Sequence, residues 1–332
     1  MAKLVAQIEG IGLLGPGLDG WTRSTALLEG RSPYISQPTV LPTPDGLPPA
    51  ERRRLGRVVK LALGVGLQAT AKAGVDPATL PAVFASSGGD GNNCHEICQA
   101  LSLDERLISP TRFHNSVHNA AAGYWSIATG SRAASNAVCA FDASFAAGLL
   151  EAVTQVVVDQ TRVMLVAYDA QYPPPLFAKR PIPEAFGVAF VLGPVAEAAL
   201  NVPRAVGLPR QAGSAASVAG ATPAGVAWAA PAVGSVPAGS AASVAAASGA
   251  SPAGSAPRPS DAALGRLAVS FSDSPADRMG DAALEFLRAS IPAARCLPLL
   301  YQLAVRKPAV VNIEYLDGRS LAVEIDPCTL VK

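Results

Sequence analysis

This 332-residue sequence predicts a soluble α/β fold with mixed strand pairing, on three observations. Strand and helix signals alternate as far as Leu192. The chain is 50% apolar and only 15% Asp, Glu, Lys and Arg, the composition of strands covered on both faces. It closes on two alternating apolar runs around Asp317-Gly318, a strong hairpin signal.

The elements follow in order. Leu4–Ile8 is a short apolar strand running into a glycine turn. Pro49–Ala73 reads as one helix, with Leu55, Val58, Val59, Leu63 and Leu67 on a single face and Glu51 to Arg54 in its first turns. Val83–Ser86 is a second strand, ending in Ser87-Gly88-Gly89, and a helix follows from about Asn93 to Leu101. Asn119–Thr129 is a helix rich in small residues; Ala134–Phe141 is a strand and Ala143–Asp159 a long apolar helix. Val163–Tyr168 and Phe186–Leu192 are buried strands. Late in the chain come strand Leu267–Phe271, a helix at about Asp281–Ser290, and the hairpin strands Ala309–Tyr315 and Leu321–Ile325.

Residues 211–257 contain no Asp, Glu, Lys or Arg, and AGSAASVA at 212–219 recurs at 238–245. Small side chains with recurrent prolines bury too little apolar area to offset backbone ordering, so about 205–260 reads as a flexible linker. It is too poor in Leu, Ile and Phe for a membrane span, and MAKLVAQIEGIG lacks the apolar run of a signal peptide. A net charge of +1 points to neither nucleic acid nor an anionic membrane as partner. Five cysteines without framework spacing suggest a reducing, cytoplasmic setting.

Four motifs have a functional and a plain reading. Gly10-x-Gly12-x-x-Gly15 after a strand matches a dinucleotide fingerprint, but Pro16-Gly17 interrupts the helix such a site needs. Cys94-His95-x-x-Cys98 puts two thiols on one helix face with the imidazole turned away, which favours a partly buried face over a metal site. His114 and His118 have metal-binding spacing but no Glu between them; amid asparagines and alanines they fit a polar cavity or interface lining better. Arg52, Arg53, Arg54 and Arg57 are a solvated helix start, or a contact for an acidic carrier protein.

The segment 119–170 carries most. A buried strand enters a buried helix through the tight turn Phe141-Asp142-Ala143, where an α/β enzyme places a nucleophile at a helix N-terminus. Asn119-x-x-Ala122-Gly123, then Gly130, Arg132 and Ser135 before that strand, turn and helix, resemble the N-terminal half of the β-ketoacyl synthases of the thiolase superfamily, as do the opening IEGIGLLGPG and Ser86-Ser87-Gly88-Gly89. FHNSVHNAAAGYWSIATG, DASFAAGLLEA and the ending PAARCLPLL…LDGRSLAVEIDPC are similar to the ketosynthase-like chain length factors of aryl polyene and xanthomonadin-type pigment synthases.

That resemblance implies a thiolase-like layered α/β fold with a complete N-terminal half (1–204), the linker (205–260) and a truncated C-terminal half (261–332) that completes the fold. It puts Asp142 at the position of the condensing cysteine, where other chain length factors carry Gln; Cys139 stands three residues earlier, within the strand. A carboxylate cannot hold an acyl chain as a thioester, and an Asp at this turn has a plain role as a helix cap. The last histidine is His118, so the two late histidines of condensing members have no counterpart. The implied protein is non-catalytic alone, needs no cofactor or metal, and forms a heterodimer with an active β-ketoacyl synthase, with an acyl carrier protein as transient partner. Phe113, His114, Val117, His118, Asn119 and Phe141 are its implied tunnel and interface residues. The rival is a thiolase-fold acyltransferase using Cys139.

Overall fold

The computed structural model describes residues 3–195 and 263–327. The linker expected at 205–260 lies outside them. The described residues form a nine-stranded sheet of order β4-β3-β5-β6-β1-β7-β9-β8, with β2 beside β1. The strands are β1 (Leu4–Gly15), β2 (Leu18–Asp19), β3 (Ala82–Ala85), β4 (Ser135–Val138), β5 (Val163–Asp169), β6 (Phe186–Gly193), β7 (Gly265–Ser272), β8 (Ala309–Glu314) and β9 (Ser320–Asp326). The pairs β4–β3 and β3–β5 are parallel and the rest antiparallel, so the expected mixed α/β sheet is present.

Both faces of its central strands are covered. Along β5, Val163, Leu165 and Ala167 join one core while Met164, Val166 and Tyr168 join the other. Period-two alternation sends successive side chains to opposite faces, and here both faces are dry, which is why β5 and β6 read as unbroken apolar runs. One core is roofed by α3 (Arg57–Ala73) and α6 (Ala120–Thr129). The other holds α7 (Ser144–Asp159), α9 (Ala282–Ser290) and α10 (Leu297–Val305). The stretch Phe141–Asp159 is long and apolar enough to cross a membrane, yet α7 packs on β5, β3 and β1 beneath the 3-10 helix Pro292–Cys296.

Three expectations need correction. The glycine turn expected after Ile8 is continuous strand: β1 runs through Gly15, because Gly10 and Gly12 let α3 seat directly on its backbone. A Cβ on Gly12 would lie 2.0 Å from the Val65 carbonyl oxygen, and one on Gly10 2.2 Å from that of Ala69. The next helix, α1 (Trp21–Leu28), starts well beyond Gly15, so the glycines serve packing rather than a pyrophosphate.

The helix expected at Pro49–Ala73 is two: α2 (Pro49–Arg54) and α3, with Leu55 extended between them. Leu55 turns into the core beside Leu47 and Val58, and Asn115 donates to the Arg54 carbonyl at 3.1 Å. Gly56 is where the Asp90 carboxylate presses closest, 2.1 Å from any added Cβ. Leu67 is exposed, while Leu61, Val65 and Ala69 are buried, because α3 is covered on two sides. Third, the strand expected at Ala134–Phe141 stops at Val138: Ala140 and Phe141 leave extended geometry.

The remaining helices are α4 (Gly91–Ser102), opened by the Asp90 carboxylate accepting from the Asn93 N–H at 3.0 Å, α5 (Pro110–His114) and α8 (Pro174–Phe177). The sequence reading missed α1, α5, α8, α10 and β2.

Strands β6 and β7 flank β1, with Gly193 opposite Gln7 and Gly265 opposite Ile8. Two interstrand spacings, about 10 Å, therefore separate the strands on either side of residues 196–262. Removing 211–257 leaves 194–210 and 258–264 for the crossover, and the shortened protein is expected to melt within about 2 °C of the parent, in the range of surface changes that touch no packed element. A large fall in thermal melting temperature would show that the segment is a packed part of the fold.

Candidate functional site

Strand β4 is an edge. Among the described residues it pairs only with β3, and Ser135, Asn136 and Ala137 are exposed. Its chain then enters the 3-10 turn Phe141–Ala143 that delivers α7. The Ser144 hydroxyl braces this turn, accepting from the Ala140 N–H at 3.0 Å and donating to the Phe141 carbonyl at 2.7 Å. Phe141 is left-handed, with φ +51°.

Asp142 does not cap α7, whose N-terminus carries no side-chain cap. Its carboxylate instead accepts from Arg180 at 2.5 Å and pairs with Arg295 at 3.2 Å, while Arg295 also pairs with Glu314. Capping loses because two guanidinium groups compete for the same oxygens, and charge-assisted bonds are the stronger. Burial pulls the Arg295 guanidinium below its ordinary pKa, and Asp142 opposes that shift. A carboxylate, unlike a thiol, cannot carry an acyl chain as a thioester.

Cys139 lies just past the end of β4 and is exposed; its thiol donates to the Ser87 carbonyl at 3.3 Å. His118 meets the neighbouring Ser86 carbonyl through Nε2 at 3.1 Å. His118 and Cys139 thus meet adjacent carbonyls of the Ser86–Gly89 turn. His114 does not join them: it is exposed, edge-on to Tyr124 with ring centroids 6.3 Å apart. Phe113 and Val117 are 68% and 53% exposed, Asn119 is also exposed, and Phe141 is 61% exposed. The arginines at 52–57 form a solvated, ion-paired face, with Arg54 on Glu51, Arg57 on Glu184 and Arg52 on Asp45. Among the described residues no three His, Cys, Asp or Glu side chains converge as a metal group.

Sequence reasoning missed Arg180, Arg295 and Asp169. Asp169, at the end of β5, is buried and accepts from the Ser86 and Ser87 hydroxyls (3.3 and 2.7 Å), the Ser87 N–H (2.9 Å) and the Ala293 N–H (2.9 Å). It ties the Ser86–Gly89 turn to the Pro292–Cys296 helix. Burial raises its carboxyl to about 6, outweighing the hydrogen bonds that lower it. With the folded value above the unfolded one, the stability from this group is complete below pH ~4 and lost as pH rises through ~6, up to about 3 kcal/mol. Melting temperatures from pH 4 to 7 are expected to fall less in Asp169→Asn than in the parent; parallel curves would refute the assignment.

The chain is similar to several solved structures. A chain of the complex between the ketosynthase ApeO and its chain length factor ApeC from Xenorhabdus doucetiae matches with a TM-score of 0.60 at 18% identity, covering 97% of this chain and 99% of the other. The ishigamide ketosynthase/chain length factor gives 0.59 at 12% identity, covering 98% and 100%. AntDE:AntF, a type II PKS acyl-carrier protein in complex with its ketosynthase bound to the hexaketide, gives 0.63 at 10% identity, again covering 98% and 100%. At these identities the likeness shows the thiolase-like ketosynthase fold. No curated protein matches the sequence. The family model for the beta-ketoacyl synthase N-terminal domain matches residues 28–233, well over half of the chain, and with the strand, turn and helix at 135–159 in place the protein belongs to the beta-ketoacyl synthase family.

Proposed function

We propose that this chain is a chain length factor: a ketosynthase-like subunit, non-condensing on its own, that pairs with an active β-ketoacyl synthase and shapes the tunnel in which an aryl polyene-type chain grows. The observation that carries this reading is Asp142, engaged by Arg180 and Arg295 at the turn where condensing members hold their cysteine. Chemistry then belongs to the partner's cysteine and histidines, and an acyl carrier protein visits transiently. The solved relatives support this, being described as ketosynthases with a chain length factor or a carrier protein. A cytoplasmic place of action, and the division into 1–204, linker and 261–332, go with the same reading.

The open edge at β4 supports pairing. Its uncharged strand leaves backbone donors and acceptors unpaired, and such an edge invites aggregation unless a partner covers it. Phe113, Val117 and His118 would line the tunnel at that interface. The acyltransferase reading is weaker, because the Cys139 thiol gives its hydrogen to a backbone carbonyl.

Reconstitution with a co-purifying ketosynthase tests the proposal. The isolated chain is expected not to condense malonyl and acyl groups, and Cys139→Ala should leave the pair active. Phe113→Ala should lengthen the products with little change in the first condensation. Condensation by the pure chain, abolished by Cys139→Ala, would overturn the reading, as would a stably monomeric chain. Unchanged product lengths across Phe113, Val117 and His118 variants would reject those residues as determinants.

A further inference from the structure

At the opposite end of the sheet from β4, a cavity of about 610 Å³ opens between α1, the loop 277–281, α10 and β8. Its volume is that of a small-molecule site, and no residue of the β4 edge or of the turn before α7 lines it. The floor is apolar: Leu28, Leu284, Pro298 and Val311 line it and are buried. The loop that forms one wall is tied down at both ends. Asp277 and Asn312 exchange two hydrogen bonds of 2.8 Å, one through each backbone N–H, and the Met279 N–H donates to the Glu285 carboxylate at 2.8 Å. The cavity therefore exists before any ligand arrives, and little ordering opposes binding.

Its polar groups favour a cation. Glu29, Asp277 and Asp281 line it, with Arg278 as the basic residue among them. Glu29 is already paired with Arg31. One oxygen of Asp277 accepts the Asn312 N–H, and one oxygen of Asp281 accepts the Ala283 and Leu284 N–H groups at 2.9 Å. The second oxygen of each makes no hydrogen bond or ion pair among the described residues. Arg278 is exposed and its charge is directed at Glu285, whose carboxyl is held below its ordinary value chiefly by the Arg288 hydrogen bond and in smaller part by Arg278. Two aromatic rings complete the lining, Tyr34, fixed by donating to the Pro16 carbonyl at 2.6 Å, and Tyr301. Carboxylates with spare oxygens beside aromatic rings suit an ammonium head, and they repel a carboxylate.

We propose that this cavity binds an organic ammonium ion with an apolar tail. The tail lies on the Leu28, Leu284, Pro298 and Val311 floor, and the head sits by Asp277, Asp281 and the two tyrosines. The site is complete within this chain and does not depend on the chain length factor reading.

The test uses the full chain and octyltrimethylammonium, followed by isothermal titration calorimetry and thermal melting. Octanoate and 1-octanol serve as the anionic and neutral probes with the same tail. Octyltrimethylammonium is expected to bind saturably, one to one, at least tenfold more tightly than octanoate, and to raise the melting temperature. Butyltrimethylammonium should bind at least tenfold more weakly than the octyl probe, having four fewer methylenes to bury. Asp277→Asn keeps an acceptor for the Asn312 N–H and removes the charge, so it should weaken ammonium binding at least fivefold and leave 1-octanol binding in place. Tyr301→Leu, at a partly exposed position, should act in the same sense, and it decides the matter if Asp277→Asn does not fold. The proposal is overturned if octanoate binds as tightly as the ammonium, if binding does not saturate, or if the folded variants bind the ammonium as the parent does. Variants that weaken all three probes alike would show that these residues only shape the cavity, and would overturn the assignment of a cation.

Discussion

Gly12→Ala is expected to yield little folded protein, or a protein melting about 10 °C lower, from a loss of about 3 kcal/mol or more at the upper end of overpacking effects. The new methyl would stand 2.0 Å from the Val65 carbonyl oxygen, 2.9 Å from the Val65 carbonyl carbon and 3.0 Å from the Ala69 nitrogen. All three atoms are backbone of α3, so relief requires the helix to move, and its buried face (Val58, Leu61, Ala62, Val65 and Ala69 among others) is packed on the sheet. Gly123→Ala is the matched control. Nothing lies within 4 Å of its Cβ position, and it is an exposed helical glycine, so the same change should be neutral or stabilise by about 0.5–1 kcal/mol. Thermal melts of both variants decide the matter. A Gly12→Ala protein as stable as the parent would mean that α3 does not sit on β1 as described.

Arg162→Ala is expected to cost about 3–5 kcal/mol, the usual penalty for stranding one member of a buried ion pair. The Glu9 side chain is fully buried and takes Arg162 Nε at 2.6 Å on one oxygen and Gln7 Nε2 at 2.8 Å on the other. Without the guanidinium a buried charge keeps, among the described residues, one neutral donor. Chemical denaturation should show the full loss in Arg162→Ala and a smaller one in the double variant Glu9→Gln, Arg162→Ala, because a neutral amide is far cheaper to bury than an unpaired carboxylate. Equal losses in the two would mean that Arg162 acts through packing alone.

Much of the fold was legible because it is written in short-range patterns. Strands β5 and β6 are continuous apolar runs, α7 follows the helical period, and Asp317-Gly318 marks the turn between β8 and β9. The glycines of β1 misled, because a residue that permits turns also permits a helix to approach, and only the seated α3 distinguishes the two uses. Helices α1 and α10 were missed although Pro298 stands in the first turn of α10, a start signal that went unused.

By itself, the sequence determined the alternating architecture, the family of the chain, and the absence of a thiol at the turn before α7. Tertiary structure alone decided what stands there instead. Arg180 and Arg295 lie far along the chain from Asp142, and Asp169 is equally remote from the Ser86–Ser87 pair it holds. No local periodicity encodes such meetings. A charged residue has the same propensity whether it ends in solvent or in a salt bridge, and which it does depends on strand order and on the packing that brings the Pro292–Cys296 helix over α7. The helix expected to be capped by Asp142 therefore starts without a side-chain cap, its carboxylate drawn off by two arginines that only the folded chain makes neighbours.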